Sequence, residues 1–161
     1  MSILNVDTVR ANTISSSTGT TALTIDSSGR VLSPNKPAFR AGRSSAYSPG
    51  ADVDIIFNDT TAANTHFNDG GHYNSTNGRF TAPVTGKYFI TSCVIWEQIT
   101  AGQAMTDAFT IRVNGALHTY SFRRAYYVNL STGDGAYYVD HANAIISLNV
   151  NDYVTIRNFR N

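Results

Sequence analysis

Residues 70–89, Gly-Gly-His-Tyr-Asn-Ser-Thr-Asn-Gly-Arg-Phe-Thr-Ala-Pro-Val-Thr-Gly-Lys-Tyr-Phe, set glycines and aromatics at short fixed intervals. Gly70 and Gly71 permit a backbone turn that a side chain would block, and Asn77-Gly78 is a tight-turn dipeptide between two short apolar runs. Phe80, Val84, Tyr88 and Phe89 are then placed to pack around those turns. Composition points the same way. Glu occurs once, as Glu97, and Lys twice, as Lys36 and Lys87, while Thr, Asn, Ser, Gly and Tyr are abundant. The good surface helix formers are nearly missing, so the expectation is an all-β chain with almost no helix. At 161 residues it is one domain by length, with room for an appendage.

The spacing of Gly71, Tyr73, Gly78, Phe80, Pro83, Gly86, Tyr88 and Phe89 resembles the signature of the C1q-like domains, jelly rolls related in outline to tumour necrosis factor. Upstream, Lys36-Pro37-Ala38-Phe39 is similar to that family's first strand, where the Phe enters the core. Downstream, Leu148-Asn149-Val150-Asn151-Asp152-Tyr153-Val154 is similar to its last turn and strand. Where the family usually has Gly-Asp, this chain has Asn151-Asp152, and Asn is the next best occupant of a left-handed position. The resemblance runs from about Pro37 to the C-terminus, but the loops between Glu97 and Asn143 carry no family motif. It implies a ten-stranded antiparallel jelly-roll sandwich with Greek-key connections, assembled as a trimer.

Residues 1–33 read differently from residues 34–161, which form the expected head. Leu4, Val6 and Thr8 alternate with Asn5 and Asp7; Asn12 to Thr20 is polar; Leu23 and Ile25 alternate before Asp26-Ser27-Ser28-Gly29 turns into Val31-Leu32. Strands so short and few cannot enclose a core, so this segment is expected to act as a stalk that orders against copies of itself. Ser2–Val9 and Thr21–Leu32 resemble the short repeats that precede C1q-like heads in bacteriophage tail fibre proteins. Animal C1q-like proteins instead carry a signal peptide and a Gly-X-Y collagen stalk upstream, and neither is present here.

An oligomer is also expected from the strand Lys87 to Glu97 alone. One face carries Tyr88, Ile90, Ser92, Val94 and Trp96 and the other Phe89, Thr91, Cys93, Ile95 and Glu97, so both faces are largely apolar. A strand in a lone sandwich buries one face and wets the other. Phe39, Tyr88, Phe89, Trp96 and Phe159 are expected to divide between sandwich core and threefold interface. Asn114-Gly115, between Phe109–Val113 and Leu117–Tyr120, is the clearest two-residue hairpin. Cys93 cannot form an internal disulfide, being the single cysteine, and reads as a small buried strand residue.

The net charge of +1, with its charges scattered, gives no basic stripe for nucleic acid. No run approaches the roughly 20 apolar residues of a spanning helix, and Met1-Ser2-Ile3-Leu4-Asn5 lacks the pattern of a secretion signal. Synthesis in the cytoplasm without membrane insertion is the expectation. The histidines, His66, His72, His118 and His141, sit in no metal-ligand spacing, and no cofactor or catalytic residue is assigned. The resemblance leaves a Ca²⁺ site open. Asp52 with Asp54, or Asp107 with Asp134, are the available carboxylate pairs for glycoside cleavage, and neither is preferred.

Binding is the stronger expectation. Tyr126-Tyr127 and Tyr137-Tyr138 bracket the loop from Asn129 to Gly135, which includes Asp134, and alternation sends one ring of each pair to each face. Exposed rings beside Asn129 and Asp134 suit a sugar ring, and the loop Gln98 to Asp107 is a second contact surface. The leading reading is a trimeric structural virion protein. It is a short phage tail fibre, attached to the tail or baseplate by its N-terminus, whose head contacts a host surface glycan. The alternatives are a capsid decoration or head-fibre protein and a soluble lectin-like module.

Overall fold

The computed structural model describes residues 11–33, 35–46, 48, 50, 52–62, 65–97, 104–120, 124–127 and 137–160. For residues 96–97, 104–109, 119–120, 124–127, 137–138, 140 and 159–160 the description is of backbone only. Every regular element within it is a strand. No helix is long and apolar enough to cross a membrane.

The first three strands, β1 (Thr13–Ser15), β2 (Thr21–Ile25) and β3 (Val31–Leu32), make a sheet of their own in the order β1-β2-β3. β1 forms inside the stretch read as a polar loop. Ile14 pairs with Leu23 and Thr13 with Thr24, and the Ser16–Thr20 turn closes the hairpin through hydrogen bonds from the Thr20 and Gly19 amides to Ser16. Asp26 caps the second turn by accepting from the amides of Arg30 and Ser28 and from the Arg30 guanidinium, and the Arg30 amide, then its guanidinium, hold its carboxyl below the usual range. The sheet encloses nothing: Ile14, Ile25, Val31 and Leu32 are all exposed. The expected strand at Leu4–Thr8 lies outside the described residues.

The larger body begins with β4 (Ala38–Arg40), β5 (Val53–Asp54), β6 (Phe67–Asp69), β7 (Tyr73–Asn74) and β8 (Arg79–Thr81). The long strands follow: β9 (Gly86–Glu97), β10 (Ala104–Val113), β11 (Ala116–Tyr120), β12 (Arg124–Tyr127), β13 (Tyr137–Leu148) and β14 (Tyr153–Arg160). Pairing is antiparallel throughout. One sheet runs β11-β10-β14-β8-β7, with β12 added to β10 and β5 to β14, while β9 pairs with β13 and β4 with β6. This is the all-β sandwich expected, but the Asn77-Gly78 turn is wider than a two-residue hairpin. Residues 75–78 all lie between β7 and β8, and only Gly78 of the dipeptide takes a positive φ, of 70°. A side chain there would meet the Ile55 carbonyl at 3.0 Å.

Asn114 and Gly115 do adopt the positive φ values, 52° and 80°, that a type I′ turn requires between β10 and β11. Asn151 takes φ 70°, as its left-handed role demanded. Asp152 joins these two turns, accepting from the Asn114 side-chain amide at 2.8 Å and from the Asn149 backbone at 2.7 Å. Those two donors hold its carboxyl below the usual range.

The core lies between the sheets and is centred on aromatics. Phe39 stacks on Tyr73 at 4.7 Å between ring centroids and on Phe80 at 5.1 Å, and Tyr88 closes on Phe80 at 5.5 Å. Ile55, Ile111, Ile146, Leu148, Val154 and Ile156 fill the space around them. The Tyr73 hydroxyl donates to the Phe57 carbonyl at 3.0 Å and accepts from the Phe57 amide at 3.2 Å. Burial pushes this phenol up to about 12, with the Phe57 amide opposing. The folded form therefore holds its proton more tightly than the unfolded chain, whose tyrosines titrate near 10. That contribution is complete below about pH 10 and is lost as pH rises to about 12. Holding this proton contributes about 3 kcal/mol at most. Urea titrations at pH 9 and pH 11.5 are expected to show this alkaline loss, and Tyr73→Phe is expected to remove most of it.

Candidate functional site

Two regions of the described fold are candidates for contact: one end of the sandwich and one face of the β9–β13 pair. At the sandwich end, Tyr127 of β12 lies opposite Ala104 of β10, and Tyr137 of β13 lies opposite Glu97 of β9. The connection from β9 to β10 leaves at Glu97 and arrives at Ala104; that from β12 to β13 leaves at Tyr127 and arrives at Tyr137. Both crossings are therefore anchored on the same two residue pairs. Strand pairing thus brings the two double tyrosines, 11 positions apart in sequence for Tyr126 and Tyr137, to one end of the body.

Tyr126 pairs with Met105 and Tyr138 with Trp96, so the doublets belong to different sheets. Asp107, expected to end a contact loop, lies instead within β10 opposite Arg124 and Arg160. The run from Ala104 takes strand form because β12 and β14 pair with it from either side. Asn129 and Asp134 lie outside the described residues. The same holds for the side chains of Asp107, Tyr126, Tyr127, Tyr137, Tyr138, Trp96 and Phe159.

The face of β9–β13 is described in side-chain detail from Lys87 to Ile95. Tyr88, Ile90, Ser92 and Val94 point into the sandwich, as do Ala142, Ile146 and Leu148 of β13. Phe89, Thr91, Cys93 and Ile95 point out. Phe89 is 69% exposed and Ile95 64%, and their cross-strand partners Ile145 and Val139 are 71% and 43% exposed. Two apolar pairs thus bracket two others, Thr91 with Asn143 and Cys93 with His141. Cys93 is a correction to the sequence reading, because it is exposed and free rather than buried. Alternation assigned it correctly to the face of Phe89 and Ile95; what was missed is that this face is the uncovered one. Of the residues expected to divide between core and interface, Phe39 and Tyr88 belong to the core and Phe89 to the open face.

Of the two carboxylate pairs, Asp134 and the side chain of Asp107 lie outside the described residues, and only Asp52 with Asp54 can be placed. Asp52 precedes β5 and Asp54 ends it, and both are held by arginines. Arg157 reaches Asp54 at 2.6 Å and Asp52 at 3.9 Å, and Arg112 reaches Asp52 at 3.4 Å. Both carboxylates are thereby committed to charge partners rather than aimed across a cleft. His66 faces Asp59 at 3.5 Å, and the Asp59 carboxyl is held low chiefly by the Thr61 amide, with His66 adding to it. No group of three metal-ligating side chains occurs among the described residues.

Against known proteins, the family model described as the C1q domain matches residues 38–161. No curated protein matches the chain.

Proposed function

Because the chain belongs to the C1q domain family, whose members are generally non-enzymatic binding modules that typically form trimers, we propose that it is a trimeric structural virion protein. In this reading it is a short phage tail fibre. Residues 1–33 form the stalk that docks on the tail or baseplate, and residues 34–161 form the head that meets the host surface. The observation that carries the trimer is the outward face of β9–β13. Phe89, Ile95, Ile145 and Val139 form an apolar strip that a monomer leaves in water and that neighbouring copies would cover. The exposed Ile14, Ile25, Val31 and Leu32 of the β1–β3 sheet support the same arrangement for the stalk.

The sandwich end that gathers Tyr126, Tyr127, Tyr137 and Tyr138 is the proposed contact surface for a host glycan, together with Asp107, Asn129 and Asp134. Three copies of a weak aromatic contact multiply by avidity, so the surface needs little affinity per chain. The virion assignment rests on the resemblance of Ser2–Val9 and Thr21–Leu32 to phage fibre repeats and on their position before the head. Gold-labelled antibody against the chain on intact particles tests it, with label expected at the tail tip. Label over the capsid would move the protein to decoration, and unlabelled particles would leave the lectin reading. In tail-labelled particles, Tyr137→Ala or Tyr126→Ala is expected to lower adsorption to host cells severalfold while the trimer persists.

A further inference from the structure

The outward strip of β9–β13 holds one cross-strand pair of metal-ligating side chains: Cys93 lies directly opposite His141. Both are exposed on the single chain. Residues in register on neighbouring antiparallel strands point to the same face, with Cβ atoms about 4.5 to 5.5 Å apart. A thiolate sulfur and an imidazole nitrogen on one tetrahedral ion, at about 2.3 and 2.1 Å from it, stand about 3.6 Å from each other. The pair can therefore close on a single cation without a change of backbone. Within the described residues no hydrogen bond or ion pair engages either side chain. Nor does a third His, Cys, Asp or Glu join them there, so one chain supplies two ligands. Along the strip, Ile95 and Val139 flank the pair on one side, and Thr91 with Asn143, then Phe89 with Ile145, on the other. Assembly through this face takes water from apolar residues on both sides of the pair. It also buries an imidazole whose nitrogens then need partners. Thr91 and Asn143 can satisfy one another by hydrogen bonds, whereas a thiol and an imidazole together are a soft donor set.

We propose that three Cys93–His141 pairs, one from each copy, hold a thiophilic divalent cation of the zinc class at the centre of the trimer. This rests on the trimer reading above, with the β9–β13 face as its interface, and does not depend on a place in a virion. Three equivalent groups are equidistant only from the threefold axis, so one ion serves three chains. Sulfur and nitrogen donors select zinc, cobalt or nickel, whereas calcium and magnesium take oxygen. Because the site is complete only in the assembly, the ion stabilises the trimer over its separate chains.

The test uses the full-length chain, kept reduced, freed of metal by a chelator and then given Zn²⁺, Co²⁺ or Ca²⁺ alone. Native mass spectrometry reads subunit number and bound ions together. The expected result is one Zn²⁺ per three chains, a sulfur-to-metal charge-transfer band with Co²⁺, and no retention of Ca²⁺. Zn²⁺ is also expected to let the trimer persist at chain concentrations at least tenfold lower than without it. Cys93→Ser and, separately, His141→Gln are expected to weaken Zn²⁺ binding at least tenfold, and Cys93→Ser to remove the Co²⁺ band. Both side chains lie outside the single-chain core, so the far-ultraviolet dichroism of either variant is expected to be unchanged. A trimer that binds no Zn²⁺, or one ion per chain, would overturn the site and leave the trimer reading standing. Zn²⁺ binding that survives both substitutions would do the same and mark an adventitious ion only. A chain that stays monomeric with and without metal would overturn both. Should the variants fail to fold, the parental Co²⁺ spectrum decides alone, and the lack of a charge-transfer band would sink the proposal.

Discussion

Phe89→Asp combined with Ile145→Asp is expected to convert the protein from trimer to monomer without unfolding the sandwich. These two residues lie directly opposite each other on β9 and β13 and are 69% and 71% exposed, so neither contributes to the single-chain core. In an assembly that covers this face, the double change would place two carboxylates per chain in each buried contact and multiply the penalty by three. Burying an unpaired charge costs several kcal/mol even after relaxation. Mass photometry of the parental chain should give the trimer mass and the variant the monomer mass, with the same far-ultraviolet dichroism for both. A variant that remains trimeric at nanomolar concentration would show that the interface lies elsewhere. A parental chain that is already monomeric would remove the explanation offered for the apolar strip.

The largest loss of stability from one side chain is expected at Phe80. It is 3% exposed, stacks on Phe39 at 5.1 Å and meets Tyr88 at 5.5 Å, and so joins β4, β8 and β9. Truncation removes a ring from a close-packed site whose neighbours are themselves rings held in place, one of them by the paired hydrogen bonds of the Tyr73 hydroxyl. The cavity therefore cannot collapse readily, and Phe80→Ala is expected to cost about 3 to 5 kcal/mol. Phe67→Ala is the matched control. Phe67 lies on β6 and is 43% exposed, so a change of about 1 kcal/mol or less is expected. Guanidinium unfolding of the two variants checks the ranking, and comparable losses would mean that the aromatic stack is not the centre of the fold.

These two expectations draw on different faces of one strand, and β9 shows where sequence reading stopped. Alternation from Lys87 to Glu97 sorted its residues correctly into two faces, since side chains of an extended chain must point in turn to opposite sides. It did not say which face the sandwich would take. Both faces were apolar enough to be core, and the small residue Cys93 was assigned to the interior on composition. The choice depended on β13, 40 residues downstream of Glu97 at its first residue, and on the aromatic floor supplied by Phe39, Tyr73 and Phe80. Likewise, β1 was invisible because Thr13 and Ser15 read as polar loop until β2 paired with them.

What the sequence determined by itself is what depends on neighbouring residues. A run almost without Glu and Lys excluded helix, and Asn114-Gly115 and Asn151 announced left-handed backbone because only such residues occupy it without strain. The spacing from Gly71 to Phe89 placed the family pattern that the match over residues 38–161 shows. What only the tertiary structure decided is non-local. The gathering of Tyr126, Tyr127, Tyr137 and Tyr138 at one end, the commitment of Asp52 and Asp54 to Arg112 and Arg157, and the outward apolar face of β9–β13 all arise from strand order. Strand order is set by which apolar faces bury one another across the chain, and no short window of sequence contains that sum.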